Sequence, residues 1–246
     1  MWRDSRIAVV VPAYCEARLI GQTLGSMPGL VDAIYAVDDG SPDDTASAIR
    51  ACEDPRVQLL EHDENRGVGA SIVTGYRAAL AGRADAMVVM AGDNQMHPDD
   101  LESLLEPVVT GNADYAKGNR FLHAERSRMP LARRWGGRAL SAATRLGTGL
   151  AIDDSQCGYT ALSAAAARVL PLDELWPRFG YPNDLLGMLA ARGLRIVDVP
   201  VRPVYADEQS GIHAWHVAII AGIIARRWWR ERAARVAAGA VAETSP

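Results

Sequence analysis

The sequence predicts an α/β protein in which a mostly parallel sheet is flanked by helices. Three observations carry this. Residues 7–11 form a wholly apolar, β-branched run, and apolar runs recur at 33–37, 57–60 and 86–90; such runs are typical of parallel strands buried on both faces. Stretches of helical periodicity separate them, so strand and helix alternate about every 25 residues, as in βαβ units. Finally, acidic and polar clusters stand directly after the first, second and fourth runs, where open α/β sheets bind ligands.

The first strand is closed by Pro12, and an amphipathic helix over 17–27 ends at Pro28-Gly29. The second strand runs into Asp38-Asp39-Gly40-Ser41, and Asp43 or Asp44 can cap the helix that reaches Cys52. After the third strand, Asn65-Arg66-Gly67 leads into a helix over 68–81, and the fourth strand empties into Ala91-Gly92-Asp93-Asn94-Gln95. The later chain is less regular. It predicts strands at 114–117, 159–162 and 195–201, a basic helix at 130–146 and another helix at 183–191. The expected organisation is one catalytic domain over 1–212, with a nucleotide-binding half to about residue 110 and an acceptor half over 111–212, followed by a helix and tail over 213–246.

Composition narrows the function. With 246 residues and a formal net charge of −4, the chain suits one large domain and gives no sign of a nucleic-acid surface. Cys15, Cys52 and Cys157 are too scattered for a disulfide framework or a cysteine zinc site. The expectation is a cytoplasmic protein with no secretion leader, and no stretch reaches the roughly 20 apolar residues of a membrane span.

Three acidic clusters at three strand ends should meet in one crevice. Glu16 and Asp39 can accept hydrogen bonds from a base edge and ribose hydroxyls. A bare Asp93 beside a diphosphate would be repulsive, and a divalent cation bridging the two removes the conflict. Gln95 offers the same ion a neutral oxygen. Gly67-Val68-Gly69 opens a helix whose N–H groups could receive an anion, although tight packing explains the glycines equally well.

In their order and spacing, Val11-Pro12-Ala13-Tyr14-Cys15-Glu16, Val37-Asp38-Asp39-Gly40-Ser41, Asn65-Arg66-Gly67-Val68-Gly69, Gly92-Asp93-Asn94-Gln95, Gly118-Asn119-Arg120 and Asp154-Ser155-Gln156-Cys157-Gly158-Tyr159 resemble glycosyltransferase family 2. That family has the GT-A fold, a Rossmann-like mixed sheet, and the resemblance is nearer to the branch of dolichol-phosphate mannose synthase and related polyprenyl-phosphate hexosyltransferases. It implies an inverting, metal-dependent hexosyltransferase with a GDP- or UDP-linked donor, Mg2+ or Mn2+, and a polyprenyl phosphate acceptor; a soluble sugar or natural-product acceptor is the alternative. Carried over by position, Pro12, Tyr14, Glu16, Asp39 and Gly69 contact the nucleotide sugar, Asp93 and Gln95 hold the metal, and Arg120 with Arg133 or Arg134 takes anionic groups. Asp154 fixes the loop near the sugar or caps a turn. Asp184 stands where relatives place a catalytic base, or caps its helix.

Three departures qualify the match: Ala91 replaces the first aspartate of the metal motif, Cys15 stands where asparagine is common, and the Arg-rich sequence by the last strand is reduced to Val201-Arg202-Pro203. Residues 205–212, including Ser210 as an acceptor contact, occupy the place of a loop that could close over the donor. His213 and His216 could ligate metal but suit a surface position. The tryptophans and arginines around 214–235 suit a helix lying in a membrane interface; packing on the domain, or on a second subunit in a homodimer, is the other reading.

Overall fold

The computed structural model describes residues 1–204, 218–227 and 229–230. One seven-stranded sheet organises the chain, in the order β3-β2-β1-β4-β6-β5-β7. Strands β1 (Ile7–Ala13), β2 (Ala33–Asp38), β3 (Val57–Glu61) and β4 (Ala86–Val89) are mutually parallel. β6 (Thr160–Ser163) runs antiparallel between β4 and β5 (Tyr115–Asn119), and β7 (Ile196–Pro200) closes the edge parallel to β5. The expected mixed, mostly parallel sheet with flanking helices is the one observed.

The apolar run of β1 has a simple cause. Its side chains alternate between two cores, one on each face of the sheet. Val10 joins a core with Val37, Ile72, Tyr76, Leu162, Leu185 and Leu189. Val9 and Val11 join the opposite core with Ile34, Ala36, Leu101, Leu104 and Leu105. Each fully buried aliphatic side chain contributes about 1.5–3 kcal/mol, so a polar residue anywhere in this strand would be costly.

Helices α1 (Ile20–Gly25) and α2 (Thr45–Arg50) are shorter than the periodicity suggests, whereas α3 (Val68–Ala81) has the expected bounds. Helix α4 (Leu101–Val109) is not among the elements the sequence predicts. Its apolar residues Leu101, Leu104, Leu105 and Val108 are buried at helical spacing, and Pro98 opens the preceding turn, but Pro107 inside the helix obscures the pattern. Helix α5 (Leu131–Thr148) is the expected basic helix; α6 (Ala164–Val169) is a further unexpected one, and α7 (Tyr181–Ala191) begins two residues earlier than expected.

Residues 218–227 are helical and lie against the domain. Ile220 and Ile223 are buried, and a Cβ at Gly180 or Gly147 would meet the side chains of Ile223 and Ile224 at 2.5 and 2.2 Å. No helix among the described residues is long and apolar enough to cross a membrane.

Candidate active site

Strands β1, β2 and β4 end side by side, and the loops that leave them form the wall of a cavity of about 460 Å³. Pro12, Tyr14, Glu16, Asp39 and Asp93 all line it, with Asn65, Gly67, Val68 and Ser71 from the start of α3. The first of these loops is held by hydroxyls of the second. Ser41 Oγ accepts from the Cys15 N–H at 3.0 Å, and Thr45 Oγ1 accepts from the Glu16 N–H at 2.8 Å. Ser41 in turn donates to Asp38, and Thr45 to Asp43. The run from Asp38 to Thr45 therefore shapes the neighbouring loop. Asp44 makes no side-chain cap bond to α2, whereas Asp43 accepts from the N–H of Thr45, the first residue of the helix, two positions on.

Asp39 is 3% exposed, and its carboxylate receives three internal donors. Oδ1 accepts from the Arg66 N–H at 3.0 Å and lies 2.7 Å from His62 Nδ1, while Oδ2 accepts from the Gly67 N–H at 2.7 Å. A carboxylate has about four lone-pair sites, which leaves room for one donor from a ligand. Asp39 thus positions the Asn65–Gly67 turn as well as bordering the cavity.

Gly69 does not line this cavity. A Cβ there would sit 2.2 Å from the Trp176 carbonyl oxygen, so the glycine allows α3 to pack closely on the segment at 176–178. Gly67, with φ +99°, meets the Pro177 carbonyl in the same way. That segment also brings Arg178 and Phe179 to the cavity, with Arg178 bonded to Asn65 at 3.3 Å. Neither residue is marked out in the sequence, because a long connection rather than a strand end delivers them.

A second cavity, of about 200 Å³, is lined by Gln95, Met96, Arg120, Gln156, Tyr159 and Arg202 among others. Asp93 lines it too, and is the one described residue common to both cavities. Its Oδ1 accepts from the Gln95 N–H at 3.0 Å in a turn whose Asn94 has φ 57°. The two expected metal ligands therefore both line this smaller cavity.

Arg120 is fixed by a fully buried carboxylate. Its Nε and Nη2 donate to Asp154 Oδ2 and Oδ1 at 2.8 and 3.0 Å, and its backbone N–H donates to Oδ2 at 3.1 Å. Burial alone would raise the Asp154 carboxyl, but Arg120 and Lys117 outweigh it and hold it below its ordinary value. Lys117, fully buried, bonds the Cys157 carbonyl, and burial pushes its ammonium below the ordinary lysine value. Asn119 donates to Asp198 at 2.8 Å and accepts from the Phe121 N–H at 2.9 Å, which shapes the turn that presents Arg120. Burial raises the carboxyl of Asp198. Asp154 thus holds both the side chain and the backbone of Arg120.

Asp184 is not brought to either cavity. It is fully buried, and Arg227 holds it through Nε at 2.8 Å and Nη2 at 2.9 Å, with the Trp176 N–H at 2.8 Å and Arg226 at 3.3 Å. In this fold Asp184, expected as a base or a helix cap, anchors the C-terminal helical segment. Arg133 and Arg134, in the first turn of α5, line neither cavity. Ser210, His213, His216 and the loop expected at 205–212 lie outside the described residues.

Residues 8–155 match the profile of glycosyl transferase family 2. The chain belongs to glycosyl transferase family 2. This family 2 glycosyltransferase is 33% identical over 202 residues to undecaprenyl-phosphate mannosyltransferase of Micrococcus luteus, across 80% of this chain and 82% of that protein. It is 29% identical over 220 residues to the UDP-N-acetylglucosamine–dolichyl-phosphate N-acetylglucosaminyltransferase of Methanococcus voltae, across 83% and 88% of the two chains. These names are those of the branch that the motifs resemble. Its fold is similar to that of glucosyl-3-phosphoglycerate synthase from Mycobacterium tuberculosis, crystallised with Mn2+, UDP and glucosyl-3-phosphoglycerate, at a TM-score of 0.70 and 24% identity over 91% of this chain and 80% of that one. The GT-A fold implied by the motifs is the fold observed.

Proposed function

We propose that the chain transfers a hexose from a GDP- or UDP-linked donor to a polyprenyl phosphate, with inversion, in a reaction that depends on Mg2+ or Mn2+. The observation that carries this reading is the position of Asp93 between the two cavities. The larger one suits a nucleotide and the smaller one an anionic acceptor. Both relatives described above are named for transfer to a polyprenyl phosphate.

The donor set suits a hard cation. Asp93 supplies a carboxylate and Gln95 an amide oxygen, and among the described residues no group of three or more His, Cys, Asp or Glu side chains gathers to hold an ion alone. The remaining ligands would be phosphate oxygens and water, so cation and donor should bind together. When bound, such an ion neutralises the diphosphate and stabilises the departing nucleoside diphosphate.

The protein's own residues do the rest. Asp39, with one acceptor site left, suits a base N–H; Tyr14, 46% exposed, offers a ring face beside it. Glu16 borders the same cavity and suits the ribose hydroxyls. Arg120, held in a fixed fork by Asp154, suits a phosphate of the acceptor or donor. Orienting the acceptor opposite the leaving group lowers the barrier through proximity. Among the described residues lining the smaller cavity, Asp93 is the only carboxylate, and the guanidiniums of Arg120 and Arg202 are held there by Asp154 and by Asp99 with Asp100. That scarcity of a base in the lining favours a phosphate acceptor: its oxygen is already anionic and needs no base, whereas a sugar hydroxyl would need one.

The test is a panel of GDP- and UDP-linked sugars with Mn2+ or Mg2+, with and without a short polyprenyl phosphate in detergent, following nucleoside diphosphate release. Sustained release with one donor is expected only when cation and polyprenyl phosphate are both present. Full activity without a divalent cation, or equal turnover on a neutral sugar, would contradict the proposal.

A further inference from the structure

Resting on the polyprenyl-phosphate reading, we propose that the outward face of α5 docks the protein onto an anionic lipid surface. Leu131, Trp135 and Leu146 are 68%, 70% and 89% exposed. Spaced by four and eleven residues, they share one stripe of the helix. Three large apolar side chains aligned on one face of a single helix form a coherent patch, unlike isolated exposed residues.

Charge selects the occupant. From Arg126 to Ile152 the sequence carries six arginines and no aspartate or glutamate, in a chain whose net charge is −4. Arg128 and Arg145 pair with acids just outside this stretch, Glu125 and Asp153. By helical spacing, Arg138 and Arg145 flank the apolar stripe. Apolar side chains with arginines beside them form the pattern of a helix lying in a lipid interface.

The inner side of the same helix is linked to the smaller cavity through two hydrogen bonds. Thr144 Oγ1 accepts from Asn183 Nδ2 at 2.6 Å, and Asn183 Oδ1 accepts from Gln156 Nε2 at 3.0 Å. Gln156 lines that cavity. A helix resting on lipid would thus hold the acceptor cavity on the side of α5 turned away from the surface. The C-terminal segment is engaged differently. Its Arg226 and Arg227 pair with Asp184, and Arg227 and Arg230 with Glu174, so these arginines hold the segment on its own domain.

The test is flotation of the full chain with phosphatidylglycerol-containing vesicles and with pure phosphatidylcholine vesicles, comparing wild type with the double variant Trp135→Glu/Leu146→Glu. Both positions are exposed, so circular dichroism and thermal unfolding should be unchanged. Wild type is expected to float with the anionic vesicles in a salt-sensitive way, and the double variant to bind about tenfold more weakly or not at all. Absence of wild-type binding, or equal binding by the variant, would overturn the proposal. So would a size-exclusion shift from dimer to monomer in the variant without any change in flotation, since a second copy would then cover the face. Loss of binding in Trp229→Glu with retention in the double variant would likewise overturn it, in favour of the C-terminal segment. The donor panel with detergent-dispersed acceptor needs no vesicle, so failure of the acceptor reading would show there and failure of docking only in flotation.

Discussion

Cys15 has φ 58°, a left-handed conformation that costs most L-residues roughly 1–2 kcal/mol and that asparagine tolerates better. The asparagine common at this position in relatives therefore has a conformational reason, and the departure noted in the sequence is one of backbone strain beside the larger cavity. Cys15→Asn is expected to stabilise the protein by about 0.5–1 kcal/mol, read as a higher urea midpoint with an unchanged slope. An unchanged midpoint would show that the turn gains nothing from asparagine. The strand-end residues Pro12, Tyr14, Glu16, Asp39 and Asp93 were legible because the chain's own pattern says where strands stop. Arg178 and Phe179 were not: they reach the cavity through the Pro177 carbonyl's contact with the start of α3, a tertiary fact without a local signal.

At the scale of elements, the parallel strands and α3 were legible from period and length. α4 was hidden by Pro107, and the partners of Asp184 were hidden because Arg227 lies 43 residues further along. An aspartate at a helix start reads as a cap or a base until the helix that buries it is known. The ion pair makes the two roles separable. Asp184→Asn should leave Arg227 buried with a weakened partner and destabilise the fold by about 3–5 kcal/mol, while kcat, measured well below the lowered unfolding temperature, stays within a few-fold of wild type. A base would show the reverse: near-normal stability and a loss of about 100-fold or more in kcat.

The whole molecule is one sheet with a change of direction in it. Where β6 turns antiparallel between β4 and β5, the parallel strands β1–β4 give way to those that carry Arg120 and its support. Asp93 leaves β4 at that boundary, which is why one carboxylate borders both cavities. The chemistry proposed depends on a cation bound there together with the diphosphate. Calorimetric titration of GDP or UDP, with and without Mn2+, into wild type and Asp93→Asn tests that dependence most directly. Mn2+ should tighten binding of the preferred nucleotide to wild type by about tenfold or more, and the variant should lose that increment while keeping its cation-free affinity. Equal tightening in both proteins, or none in wild type, would contradict the account.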